Sequence, residues 1–215
     1  MATTGAQANS PESNAGVPMR LAALEDLSGV VGTLVEAFDR DPVWAWAFPD
    51  PQLRAAQHAT VFRMTVAHAI ANNAAWLTAG CGAVVTAFGP GVSEMSDSDA
   101  ERFPTVLRGF LGDHADGVNG LFERFEHARP VVTPHLYISM LGVQDQARGN
   151  GIGMALLARV LAQADAQGIG TYLESSNGAN DRRYEAAGFR MHGSVPVAPG
   201  LPAVNTMWRD PARGK

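Results

Sequence analysis

Apolar positions along this chain switch between two periods, and each switch marks an element. Leu27, Val30, Val31, Leu34, Val35 and Phe38 recur every three or four residues, the stripe of an amphipathic helix; Asp26 stands where an N-cap would, and Asp41-Pro42 ends the run. A short strand, Met19–Leu24, precedes it, and a second helix follows Pro49-Asp50-Pro51 to about Asn72. Ala75–Thr78 and Ala83–Thr86 read as a hairpin around Ala79-Gly80-Cys81-Gly82, and residues 89–96 as a loop. Phe103, Val106 and Phe110, then Leu121, Phe122 and Phe125, mark helices near 99–110 and 120–128. Pro130 and Pro134 bracket the entry to an apolar strand, His135–Val143. A helix from about Gly151 to Ala166 stops at Gly168, a strand follows at Tyr172–Ser176, and a helix at Asp181–Ala187 stops at Gly188. Two late strands cover Arg190–Val195 and Val204–Arg209. This order predicts one mixed α/β domain over residues 18–212, a mixed central sheet with helices on both faces. Residues 1–17, rich in Ala, Ser, Thr, Asn and Pro without period, read as a disordered leader.

Between the strand ending at Val143 and the helix beginning near Gly151 lies Arg148-Gly149-Asn150-Gly151-Ile152-Gly153. A glycine-rich strand-to-helix turn aims bare N–H groups at one point, and the helix N-terminus adds partial positive charge there, so the turn is a phosphate site. A Walker loop needs Gly-Lys-Ser/Thr, and the sole lysine is Lys215. A dinucleotide fingerprint needs a third Gly or Ala at Met154 or Leu156. What remains, Arg-x-x-Gly-x-Gly, resembles the pyrophosphate-binding motif of the GNAT superfamily of N-acetyltransferases.

Three more segments carry that resemblance. Leu136–Val143 is similar to the family's fourth strand, Tyr172-Leu173-Glu174-Ser175-Ser176 to its fifth, and Asn177 … Asn180 … Tyr184-Glu185-Ala-Ala-Gly188-Phe189 to its Asn … Tyr-Glu-x-x-Gly-Phe signature. Leu173–Ser176 and the tail Val195-Pro196 … Leu201-Pro202 … Met207-Trp208-Arg209 resemble the subgroup of puromycin N-acetyltransferase and its relatives. The likeness weakens at Gly82–Pro90, where relatives carry a Trp and a Pro-rich turn.

The resemblance implies an acyltransferase that uses acetyl-CoA as cosubstrate and needs no metal. Coenzyme A pyrophosphate would lie on Arg148, Gly149, Asn150, Gly151, Ile152, Gly153 and Met154. Its pantetheine arm would run along Leu141, Gly142 and Val143, with Asn177 and Asn180 as amide contacts. Tyr184 occupies the family's general-acid position; a phenol suits protonation of a leaving thiolate. For the base, Glu174, Tyr137, His135 and Ser139 are candidates. Histone-acetylating members use a glutamate from about the Tyr137 position, which this chain lacks. Asp41, Trp44 and Trp46, together with Tyr137, Ser139 and the Phe88–Glu94 loop, are expected to line the amine pocket. Alternatives are a protein or peptide N-acetyltransferase, which the acidic run Glu94, Asp97, Asp99, Glu101 would suit if it were more than a solvated helix start, and a non-catalytic acyl-CoA sensor. Resistance to an aminonucleoside antibiotic is implied by the subgroup resemblance alone.

Composition narrows partners more than activity. At 215 residues and 46% apolar content the chain can fill one core. A net charge of −5 argues against nucleic acid, and no run is long enough to span a membrane. The single Cys81 has no His or Cys spacing for zinc and no disulfide partner, so a reducing cytoplasm is expected. The expected partner is a small-molecule amine, and the expected assembly a monomer or homodimer.

Overall fold

The computed structural model of the chain describes residues 18–212, so the leader expected at 1–17 lies outside the described residues. Strand β1, Met19–Leu21, runs into helix α1, Leu27–Phe38, which forms on the predicted stripe and buries Val30, Val31 and Leu34. Asp26 does not cap it. Its carboxylate accepts from the Ala23 N–H at 2.8 Å and pairs with Arg20 at 2.5 Å, fastening the turn before the helix.

Asp41 ends α1 and also starts something new. Its Oδ1 accepts from the Val43 and Trp44 N–H groups at 2.9 and 3.2 Å, and Pro42 fills the first turn of a six-residue helix α2, Pro42–Ala47. Six residues are too few to show a period, so this helix was invisible to pattern. Helix α3, Arg54–Ala71, β2, Ala75–Thr78, and β3, Ala83–Phe88, follow as expected. Helix α4, Asp97–Leu111, starts two residues earlier than expected, after the Ser96 cap, and α5, His114–Ala128, starts six residues earlier, because Ala115 and Val118 bury a start that carries little apolar signal. After β4, His135–Val143, come α6, Ile152–Gln167, β5, Gly170–Ser175, α7, Asp181–Ala186, β6, Arg190–Val195, and β7, Val204–Arg209.

The seven strands form one sheet in the order β1-β2-β3-β4-β5-β7-β6, antiparallel except for β4 beside β5. One face packs under α1 and α3 around Leu34, Phe62, Val84 and Phe88; the other packs under α6 around Val85, Ile138, Leu157 and Leu173. The fold is therefore the expected mixed α/β domain with helices on both faces. The α4–α5 hairpin is inserted between β3 and β4, and Arg124 on α5 donates to the Pro196 and Val197 carbonyls at 3.1 and 3.0 Å, tying the hairpin across to the β6–β7 connection.

One irregularity positions everything else. Strands β4 and β5 pair from His135↔Gly170 to Ile138↔Leu173 and then stop, although both continue. Beyond that point β4 stays with β3 out to Val143↔Ala83, while β5 stays with β7 at Glu174↔Thr206 and Ser175↔Asn205. The parting coincides with a bulge in β4: Thr86 opposes Met140 and Ala87 opposes Ile138, so Ser139 is the extra residue.

Candidate active site

The gap between β4 and β5 exposes backbone. The Gln144 N–H donates to Gly82 on the β3 side at 3.0 Å, and N–H directions alternate along a strand, so the N–H groups of Leu141 and Val143 point away from β3 into the gap. At Gly142 a Cβ would come 3.0 Å from Leu34 Cδ2 and 3.1 Å from Ala37 Cβ, so the absence of a side chain lets α1 lie against this strand.

Just past the gap, the turn delivers α6. Gly149 and Gly151 have φ of +82° and +71°, the left-handed region that a β-branched residue resists. The first helical bond runs from the Ala155 N–H to the Gly151 carbonyl at 3.0 Å, which leaves the N–H groups of Ile152, Gly153 and Met154 without helical acceptors. Gly153 allows the helix to meet the strand: a Cβ there would sit 2.6 Å from Val143 Cγ2. Arg148 turns back onto the protein, donating to the Val143 and Ala37 carbonyls at 3.3 and 3.4 Å and pairing with Asp145 at 3.1 Å. Asn150 donates to the Ala147 carbonyl at 3.4 Å. These two side chains brace the turn, while its free N–H groups form an anion cradle.

The opposite wall comes from β5 and α7. Asn177 Oδ1 accepts from the Ala179 N–H at 3.0 Å and Asn180 Oδ1 from Arg183 at 2.8 Å, so both amide oxygens hold local structure. Asp181 anchors α7 by accepting from Ser175 at 2.6 Å and Asn205 at 2.7 Å. Tyr184 then stands edge-on to Phe189 with ring centroids 6.0 Å apart. Its hydroxyl has no partner among the described residues and faces the cavity. Burial, with Asp181 and Asp41 adding to it, pushes the phenol up to about 12, so it stays protonated at neutral pH.

That cavity measures about 1410 Å³ and continues from the strand gap under the α4–α5 hairpin. Phe38, Trp44, Phe62, Phe103, Phe122 and Phe125 contribute its aromatic wall. Trp44 is embedded as well, 4.6 Å from Phe62 and 5.4 Å from His58 between centroids. Trp46 is not on the wall. Its ring packs 5.1 Å from His114 and beside Gly117, because neighbours two apart on a helix face different ways. Asp41 is buried, accepts from Ser176 Oγ at 2.6 Å, and has its carboxyl pushed up by burial.

The polar end of the cavity joins residues far apart in the chain. Of the 88–94 loop, Ser93 and Glu94 reach it, whereas Phe88 sits in the core. Glu94 is turned inward, away from the helix start that Asp97 and Asp99 occupy: Ser139 donates to its Oε1, and Arg129 pairs with its Oε2 at 2.9 Å. Arg129 lies 3.7 Å above the Tyr137 ring. Glu174, the first β5 residue past the parting, has Oε1 buried without a partner; burial pushes its carboxyl up to about 7, against the pull of Arg129. Tyr137 is buried and pushed well above its ordinary value, first by burial and then by Glu174 and Glu94. His135 lies outside, edge-on to Tyr172 and Trp208, with Nδ1 at 2.7 Å from the Thr133 carbonyl.

Pattern reading missed Arg129, Phe103 and Phe122 as wall residues. The aromatics were visible as helical stripes, and a stripe does not say which of its members face a cavity. Arg129 had no signal at all beyond standing next to Pro130.

Residues 125–209 match the family described as the acetyltransferase (GNAT) domain. No curated protein matches the chain by sequence. Among solved structures, one described as a histone acetyltransferase and related acetyltransferase from Corynebacterium glutamicum is similar at 23% identity and a TM-score of 0.69, covering 92% of this chain and 98% of that one. A polyamine N-acetyltransferase of Drosophila melanogaster, which forms N-acetylagmatine, is similar at 16% identity and TM-score 0.64, covering 90% and 99%. An arylalkylamine N-acetyltransferase of Aedes aegypti is similar at 12% identity and TM-score 0.62, covering 92% and 100%.

Proposed function

We propose that this chain, an acyltransferase whose residues 125–209 are a GNAT acetyltransferase domain, moves the acetyl group of acetyl-CoA to the amine of a small molecule with an aromatic or bulky apolar body. One observation carries the reading. Where β4 and β5 part, the Tyr184 phenol on one wall and the Glu174 carboxyl, whose Oε1 has no partner, on the other line a single aromatic cavity.

Acetyl-CoA supplies the thioester, and the residues of this chain fit it. The bare N–H groups at the start of α6 suit its pyrophosphate, and the open edge of β4 suits a pantetheine amide, as an added strand would pair. The N–H of Leu141, aimed into the gap, would stabilise the oxyanion formed when the amine attacks. The amine must arrive neutral. A carboxyl titrating near 7 is half ionised at neutral pH, so Glu174 can take the ammonium proton directly or through water. Tyr184, still protonated, gives a proton to the departing thiolate. No acyl-enzyme is needed.

The α4–α5 hairpin roofs the acceptor side, which favours a small molecule over a protein substrate. Amines carrying an aromatic aminoacyl group, the aminonucleoside type among them, match the wall of Phe and Trp rings. We take the enzyme to work in the cytoplasm on a free metabolite or drug, as monomer or homodimer, without nucleic acid or membrane. Thiol release from acetyl-CoA over a panel of aromatic, aliphatic and polycationic amines and basic peptides tests this. The expected preference is for aromatic amines. Faster turnover of peptides would move the reading to a peptide acetyltransferase, and binding without turnover of any amine would leave an acyl-CoA sensor.

A further inference from the structure

Arg129 is the cation at the polar end of the cavity, and it is held on three sides. Its Nη2 is 2.9 Å from Glu94 Oε2, its Nη1 3.9 Å from Glu126 Oε1, and its guanidinium lies flat on the Tyr137 ring at 3.7 Å. Its Nε is buried with no partner. Glu94 is itself fixed, since Ser139 donates to its other oxygen. The arrangement fixes a positive charge at one place although Arg129 comes from the loop after α5, Glu94 from the loop after β3, and Tyr137 and Ser139 from β4. Tyr137 is also the register partner of Tyr172, two residues before Glu174, so the ring under the guanidinium sits beside the strand that carries the free carboxyl. Arg129 and Glu174 make no direct bond among the described residues, but with Tyr137 between them both line the same cavity.

We propose that Arg129 is a positioning residue for the acetyl transfer: clamped by Glu94 and the Tyr137 ring, its charge holds Glu174 in the carboxylate form in which it can take the proton of the incoming amine. The inference rests on the reading of Glu174 as proton acceptor. The step balances simply. The ammonium loses one proton to the Glu174 carboxylate, giving neutral amine and carboxylic acid. The amine then forms the C–N bond as the C–S bond breaks, Tyr184 protonates the leaving thiolate and is reprotonated by the second proton of the amine nitrogen, and the Glu174 acid returns its proton to water after turnover.

The groups around Glu174 pull in opposite directions. Arg129, from beyond α5, favours the charged carboxylate, as do the hydroxyls of Tyr137 on β4 and Tyr172 on β5; Glu94, from the loop before α4, disfavours it, and Thr206, its neighbour on β7, carries no charge. Opposite signs give a test that loss of packing cannot imitate. The acid limb of kcat/KM against pH should have its midpoint near that of Glu174. In Arg129→Met the midpoint should rise by about one pH unit, since a charge a few ångströms from a carboxyl shifts it on that scale, and activity lost at neutral pH should return at higher pH. Glu94→Gln should move the midpoint down, and Arg129→Lys, which keeps the charge, should stay near the native midpoint.

Glu174→Gln separates the two ideas. If its pH profile keeps the native acid limb, Glu174 is not the proton acceptor, and the role of Arg129 falls with it. If the limb vanishes in Glu174→Gln but stays put in Arg129→Met and Glu94→Gln, the carboxyl acts without help from Arg129 and this inference alone is overturned. Movement of both variants in the same direction overturns it too. Titration of the Glu174 carboxyl by carbon-13 NMR in the substrate-free protein and in Glu94→Gln gives the same answer without turnover, and serves if Arg129→Met does not fold.

Discussion

The two sides of the cavity are built on different principles. The side that suits coenzyme A is mostly main chain: the Leu141 and Val143 N–H groups, the first turn of α6, and glycines where a Cβ would clash. The acceptor side is side chains drawn from six segments between Phe38 and Arg129, joined by β4 and β5. A backbone site recognises what is constant, since its groups are the same in any sequence that reaches that conformation. A side-chain site can change its ligand residue by residue without disturbing the fold. The contrast explains why the chain resembles the GNAT superfamily most closely over 135–190 and less closely at 82–90.

The sharpest way to break this division lies at its boundary. Tyr184→Phe keeps the ring and removes the proton, and turnover should fall by ~10²–10⁴-fold, the usual contribution of general acid catalysis. Affinity for acetyl-CoA, measured by calorimetry, should hardly change. Turnover within about threefold of native would take the proton-donor role away from Tyr184, unless product release limits the rate, which a pre-steady-state burst would reveal.

A smaller effect is expected inside the main-chain half. Gly151→Val forces a β-branched residue to φ +71° at the start of α6. Acetyl-CoA affinity should drop tenfold or more, about 1.4 kcal/mol, with the amine KM little altered. A folded variant that binds acetyl-CoA as before would remove the turn from the cofactor site.

Trp44→Ala probes the other half in the same way. The amine KM should rise by roughly tenfold from lost aromatic contact, and the acetyl-CoA KM should hold. Because Trp44 also packs on Phe62 and His58, the melting temperature should fall as well. A change confined to the acetyl-CoA KM would assign Trp44 to the wrong side.

Trp46→Ala should have the smallest kinetic effect. Its ring supports α5 through His114 and Gly117 instead of facing the cavity, so both KM values should stay within about twofold while stability drops by a few kcal/mol, as for other truncated core aromatics. An amine KM that rises as much as in Trp44→Ala would show that α2 turns both tryptophans to the ligand.

The chain's own pattern determined most of the scaffold and the backbone of the turn that starts α6. Periods of 3.6 and 2 are local properties, and so are the capping and stop residues, which is why the expected elements other than α5 lie close to where they formed. The glycines of the 148–153 turn were legible for the same reason, because a main-chain cradle is written in consecutive residues. The short helix α2 was not legible: six residues cannot display a period. Nor was the inward turn of Glu94, which looked like one more acid at a helix start until Ser139 and Arg129, 45 and 35 residues away, gathered around it. The bulge at Ser139 and the parting of β4 from β5 are likewise decided by packing. What β4 pairs with after Ile138 depends on β3, and what β5 pairs with depends on β7, neither of which is its neighbour in sequence. Side chains that meet across a cavity carry no mark of the meeting in their own stretch of chain. Only the sheet order, and the helices laid over it, brought Arg129 and Glu174 to the lining of one cavity.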